Sequence, residues 1–160
     1  MINTGHHAAR GEMNEQILIR NAVSSDLEAI IALDEVGSEG EKPSYWRGIF
    51  DHYVAVGRKD RVFLVAETGD RVVGFITGEV RAWEFGSPPC GWVFAMGVSP
   101  KMRGRGIARR MFEEICRRLR QADVTTVRTM VDRNNKEMLS FFRSQDLRTG
   151  RYVELEKEID

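Results

Sequence analysis

The sequence predicts one α/β (α+β) domain, a mixed β-sheet with helices packed on it. Three observations carry this. Apolar runs of strand length are interleaved with amphipathic runs of helix length, in the order strand, helix, helix, three strands, helix, strand, helix, strand. A strand passes through a Gly/Arg-rich turn straight into a helix between Val93 and Arg118. And 160 residues without an internal repeat or a domain-sized linker make one domain with a substantial core.

Residues 1–14 are polar and aperiodic and are expected to be a mobile leader, leaving the domain to 15–160; the adjacent His6 and His7 could bind metal, but two histidines in such a tail more often do nothing. Ile17 to Arg20 is the first strand. Ser25 and Glu28 have capping-box spacing and open a helix whose apolar stripe is Leu27, Ile30, Ile31 and Leu33. Gly37 to Glu41 breaks it. Pro43 suits the first turn of a second helix, with a face of Trp46, Ile49, Phe50 and Tyr53. Arg61 to Thr68 is a strand, Gly69-Asp70 a tight hairpin turn, and a return strand starts at Arg71. Gly86, Pro88 and Pro89 make 84–90 a loop. Trp92 to Val98 is a strand buried on both faces, with Val93, Ala95 and Gly97 on one side and Phe94, Met96 and Val98 on the other. A helix over 106–121, a strand over 125–131, a helix over 135–144 and an alternating final strand, Tyr152 to Glu158, complete the chain.

Composition narrows the function classes. Apolar residues at 42% and charged residues at 30% are ordinary for a globular domain. Lys plus Arg equals Asp plus Glu, 24 each, so no overall field attracts nucleic acid. No apolar run approaches the ~20 residues that cross a bilayer. With no signal-peptide core and two unrelated cysteines, Cys90 and Cys116, a cytoplasmic protein without membrane, metal or disulfide framework is expected.

The chemistry gathers at the turn. Pro100 stops the strand, and Arg103, Gly104, Arg105, Gly106, Ile107, Ala108 and Arg109 lead into the helix. The first N–H groups of a helix lack intrahelical partners and carry the positive end of its dipole. Glycines let a ligand approach that backbone, and the arginines add charge, so the turn reads as a pyrophosphate cradle. A dinucleotide fingerprint would need a third glycine where Arg109 stands. A plain structural turn with a solvated basic face is the competing reading.

Arg103-x-x-Gly106-x-Ala108 after a Val-Ser-Pro strand end resembles the acetyl-CoA-binding motif of the GNAT superfamily of N-acetyltransferases. Downstream, Asn135-Lys136-Glu137-Met138-Leu139-Ser140-Phe141-Phe142 is similar to the family's Asn-x-x-Ala-x-x-Phe-Tyr segment. Strand and helix order extend the resemblance over roughly residues 16 to 158. It implies a sheet splayed beside the motif strand, with acetyl-CoA as co-substrate and an acetyl group passed to a primary amine in a ternary complex. The acceptor could be a protein N-terminus, a lysine or a small amine. Pantetheine would lie along Met96 and Val98, and Asn135 would bond that arm or cap its helix. Phe142 stands where the family often has a tyrosine as general acid; under the cofactor, Phe141 reads as core. Tyr152, Ser140 or water could replace that acid, or the thiolate leaves unassisted.

The acceptor amine must also lose a proton. The motif strand opens Gly91-Trp92-Val93, without the carboxylate many relatives carry there, so Glu79 comes first and Glu84 second as base. Tyr45, Trp46, His52, Trp83, Phe85 and Trp92 are candidate acceptor-cleft residues, with core packing the more ordinary role for Trp46. Two other classes remain: an acetyl-CoA-binding regulatory or partner module without efficient catalysis, and a basic RNA-binding domain. Dimers are common in the family.

Overall fold

A computed structural model describes residues 16–36, 42–54 and 58–159. Five strands run in the order β1 (Ile17–Asn21), β2 (Arg61–Thr68), β3 (Arg71–Arg81), β4 (Cys90–Val98) and β5 (Val127–Arg128). The first three pairings are antiparallel and β4–β5 is parallel, giving the mixed, open sheet. Helices α1 (Leu27–Glu35) and α2 (Pro43–Tyr53) cover one face; α3 (Ile107–Arg120) and α4 (Lys136–Ser144) cover the other. No helix among the described residues is long and apolar enough to cross a membrane. The expected leader and the break over Gly37 to Glu41 lie outside the described residues.

Each face has its own core. Leu64, Ala66, Ile76 and Val93 meet Met111, Ile115 and Leu119 of α3, as the helix periodicity requires. Phe63, Val65 and Phe75 meet Ile30, Trp46 and Phe50. Helix α3 lies close on the sheet because Gly78 has no side chain: a Cβ there would fall 2.8 Å from the Trp92 carbonyl oxygen and 3.2 Å from Ile115.

A bulge between Thr77 and Gly78 puts two steps of β4 opposite one of β3 and corrects the expected alternation. Val93 now shares the α3 face with Met96 and Val98, while Ala95 packs on the α1/α2 face. Phe94 meets Tyr53 edge-on, ring centroids 5.4 Å apart.

Two further expectations fail. The strand at 125–131 shrinks to two residues. No strand forms at 152–158: Val153 and Leu155 are 75% and 90% exposed, because no strand in the described residues offers them an apolar face. The Ser25/Glu28 capping box is also replaced. Asp26, 5% exposed, accepts the Val23 amide at 2.8 Å and a bidentate pair from Arg20 at 2.7 and 2.9 Å.

That carboxylate gives a pH prediction. Burial alone would raise the Asp26 pKa, but the Arg20 and Val23 hydrogen bonds outweigh it and hold it below the ordinary value. A lowered carboxylate contributes its full stability above the unfolded pKa of about 3.9 and loses it as pH falls through the folded value. Asp26→Asn should therefore lower urea-unfolding stability by about 1–3 kcal/mol at neutral pH and by much less in acid.

Candidate functional site

Parallel pairing of β4 with β5 consists of two rungs, Gly91↔Val127 and Trp92↔Arg128. Beyond them β5 diverges, and from Val93 to Val98 that side of β4 has no strand partner among the described residues. The polar groups facing the gap follow from the antiparallel ladder. The Ser99 amide donates to Val73 O at 2.8 Å, so alternation turns the N–H and C=O groups of Val98 and Met96 away from β3 and into the opening.

The same gap runs into the start of α3. One turn at Pro100–Met102 redirects the chain, and Gly104 and Gly106 then adopt φ of +76° and +73°. A Cβ at either glycine meets nothing of the chain within 4 Å, so what they keep clear is space outside it. The Arg110 amide makes the first intrahelical bond, to Gly106 O at 3.0 Å. The N–H groups of Ile107, Ala108 and Arg109 are thus left for a partner from outside, at the positive end of the dipole.

These parts wall one cavity of about 760 Å³, within the range of small-molecule sites. Of the residues the sequence assigns to a cofactor, Met96, Val98, Arg103, Gly104, Gly106, Ile107, Ala108, Arg109, Asn135 and Phe142 line it; Arg105 does not. Arg103 and Arg109 pair with Glu137 at 3.4 Å and Glu113 at 2.8 Å, both exposed pairs of small energetic weight. Asn135 Oδ1 accepts the Met138 amide at 3.0 Å and caps α4, which leaves its NH2 group to donate elsewhere. Phe142 is buried at 4% and packs on Phe112 and Phe141 at centroid distances of 5.7 and 5.1 Å. Core packing, expected of Phe141, thus describes Phe142 more closely, although both touch the cavity.

The three residues expected to move protons lie elsewhere. Glu79, half-buried on β3, accepts from the Tyr53 hydroxyl and pairs with Arg81 Nε at 3.0 Å on the α1/α2 face. Glu84 sits in the exposed turn after β3, between Trp83 and Phe85, whose φ of +62° and +48° are strained for such side chains. Tyr152, 40% exposed, takes a hydrogen bond from Arg151 at 2.7 Å and lies under the Arg128 guanidinium. None of the three lines the cavity.

Of the aromatic candidates, Trp46 is 1% exposed and donates to Asp34 Oδ2 at 2.9 Å, so it is core; Tyr45 is half-exposed. The cavity also touches residues the sequence did not single out: Asp34 at the end of α1, and Thr129 to Asp132 after β5. Asp34 comes directly after the helical stripe, and Thr129 to Val131 fall inside the expected strand with Asp132 just past it, so no local pattern marks them as site residues.

Residues 27–146 match the family model described as the Acetyltransferase (GNAT) family. Over 97 residues the chain is 29% identical to the L-2,4-diaminobutyric acid acetyltransferase of Vibrio parahaemolyticus, covering 61% of this chain and 51% of that protein. It is 32% identical over 87 residues to the mycothiol acetyltransferase of Kocuria rhizophila, covering 52% and 29%. The chain therefore spans about half the length of the first relative and under a third of the second. Among solved structures, aminoglycoside N-acetyltransferase AAC(6')-Iy in complex with CoA superposes with a TM-score of 0.77 at 15% identity, covering 89% of this chain and 95% of that one.

Proposed function

The chain belongs to the acetyltransferase (GNAT) family, and from that premise we propose that it moves the acetyl group of acetyl-CoA to a primary amine with both substrates bound. A single observation carries this: the unpaired edge of β4 and the free amides of α3 open into one cavity. Acetyl-CoA supplies an activated acyl thioester; the rest is done by the chain. Main-chain groups of Met96 and Val98 bond the pantetheine arm as an added strand would. The amides from Gly104 to Arg109, with Arg103 and Arg109, hold the diphosphate. The Asn135 NH2 group donates to the arm while its oxygen caps α4. An amide on the β4 edge steadies the charge that grows on the carbonyl oxygen. Thiolate departure needs no donor at Phe142, since a thiol pKa of about 8.5 makes the thiolate a tolerable leaving group.

Glu79 is the proton acceptor in this scheme, as the carboxylate bonded by Tyr53, whose ring packs on Phe94 of the cavity wall. The acceptor is a small amine. Both curated relatives described above are named for small molecules, as is the solved neighbour.

Purified chain mixed with acetyl-CoA and a panel of amines, with free thiol monitored, tests the proposal. CoA release that depends on particular amines supports it. Tight CoA binding without turnover across the panel overturns it in favour of a coenzyme-binding module. Glu79→Gln should lower turnover on the order of 100-fold near neutral pH, and an unchanged pH–rate profile would remove Glu79 from the mechanism.

A further inference from the structure

On the α1/α2 side of the sheet, side chains from three elements form a connected set beside the β4 bulge. Tyr53 closes α2 and gives its hydroxyl hydrogen to Glu79 Oε2. Arg81, two residues further along β3, donates from Nε to Glu79 Oε1 at 3.0 Å, and its guanidinium rests 4.7 Å above the Trp92 ring. The Tyr53 ring stands edge-on to Phe94 at 5.4 Å, and Phe94 lines the cavity. Glu79 thus spends one oxygen on Arg81 and the other on Tyr53; neither Tyr53 nor Glu79 lines the cavity, and Tyr53 meets its wall through the Phe94 ring. Tyr53 is half-buried, and its oxygen, with the hydrogen committed to Glu79, keeps lone pairs that can accept.

We propose that Tyr53 is a catalytic proton relay between the acceptor amine and Glu79. The inference rests on the acetyltransferase reading given above. In the step, an ammonium N–H bond breaks as a new Tyr53 Oη–H bond forms. The original Oη–H bond breaks as Glu79 Oε2–H forms, and the electron pair left on nitrogen attacks the acetyl carbon, pushing the carbonyl π pair onto oxygen. That pair returns as the C–S bond breaks, and the departing thiolate takes the second proton from nitrogen. Water later takes the proton from Glu79.

The surroundings suit this role. Burial first, and then the facing carboxylate, push the Tyr53 phenol well above its usual value, so the hydroxyl keeps its hydrogen through the neutral range. Among the described residues, the titratable and charged groups facing it are Arg61 of β2, 5.5 Å from its ring centre, Glu79 and Arg81 of β3, and His52 of α2 with its ring 6.0 Å away. Tyr45 lies near Glu79 as well, and its phenol is raised by burial, then by Asp34 of α1 and by Glu79. β4 contributes the uncharged rings of Phe94 and Trp92.

Tyr53→Phe removes the hydroxyl and keeps the ring against Phe94. Amine-dependent CoA release, followed from neutral pH up to the acceptor's own pKa, should show kcat down on the order of 100-fold at neutral pH, with the deficit shrinking towards parity as the amine arrives already neutral. CoA affinity and the melting temperature should hold. Glu79→Gln, which leaves the ring in place, should show the same pH-dependent deficit, and the double variant should be no worse than the poorer single one. A deficit of equal size at every pH, no deficit, or multiplying effects in the double variant would overturn the relay. Failure of the acetyltransferase reading looks different: the unaltered chain releases no CoA with any amine, and the relay then falls with it.

Discussion

Gly106→Glu is expected to abolish measurable coenzyme binding while leaving a folded protein. Gly106 caps α3 at φ +73°, where any L side chain costs about 1–2 kcal/mol. An added Cβ strikes nothing within 4 Å, so the chain itself has no steric objection. The loss comes from what the side chain does to a ligand. A carboxylate about 4 Å from a phosphate costs about 4 kcal/mol at a surface-like dielectric, on the order of 10³ in Kd. Titration calorimetry with CoA reads this directly. Affinity within a few-fold of the unaltered chain would mean that the diphosphate sits elsewhere and that these glycines only shape a turn.

Trp46→Ala should produce the largest loss of stability. The indole is 1% exposed, stands edge-on to Phe75 at 5.2 Å and tilts against Phe63 at 6.0 Å. Its N–H also ties α2 to Asp34 of α1. Large aromatic deletions in a core cost about 3–5 kcal/mol, which for a domain of this size lowers Tm by about 8–16 °C. Trp46→Phe should recover much of the packing but forfeit the hydrogen bond to Asp34 Oδ2. Thermal melts of the two variants separate the ring's contribution from that of the hydrogen bond. A small loss in Trp46→Ala would contradict the placement of this side chain at the centre of the α1/α2 core.

Much of this architecture was legible in the residues, and most of the failures share a cause. Periodicity located α2, α3 and β2 to within a residue, because each buries a full apolar stripe or run of its own. Asn135 was readable as a cap from its place ahead of an amphipathic stretch, and it does cap α4. Most of what failed depends on partners far along the chain. The alternation at 152–158 is real, but a strand needs a ladder, and β5 offers none there. Phe94 was assigned to the face of Met96 and Val98, since a one-residue slip in register leaves no trace in composition. The Ser25/Glu28 pair failed for a nearer reason: Asp26 takes the Val23 amide and is held by Arg20, six residues back on β1. The turn into α3 was visible because a helix start needs only local sequence; the Tyr53–Glu79 contact was not, because it joins residues 26 apart.

The two-rung seam between β4 and β5 also has a mechanical meaning. It works like the spring of a clothes-peg, with Gly91 and Trp92 at the pivot and the backbone of 93–98 and 129–132 as jaws. Apolar contact holds the second jaw to the body: Val131 packs on the α3 core, as do Met138, Phe142 and Leu147 of the stretch that follows it. A flat, hydrogen-bonding strip clamped between the jaws would stand in for the rungs that are missing. Whatever this protein grips there becomes, while it stays, a borrowed strand of its own sheet.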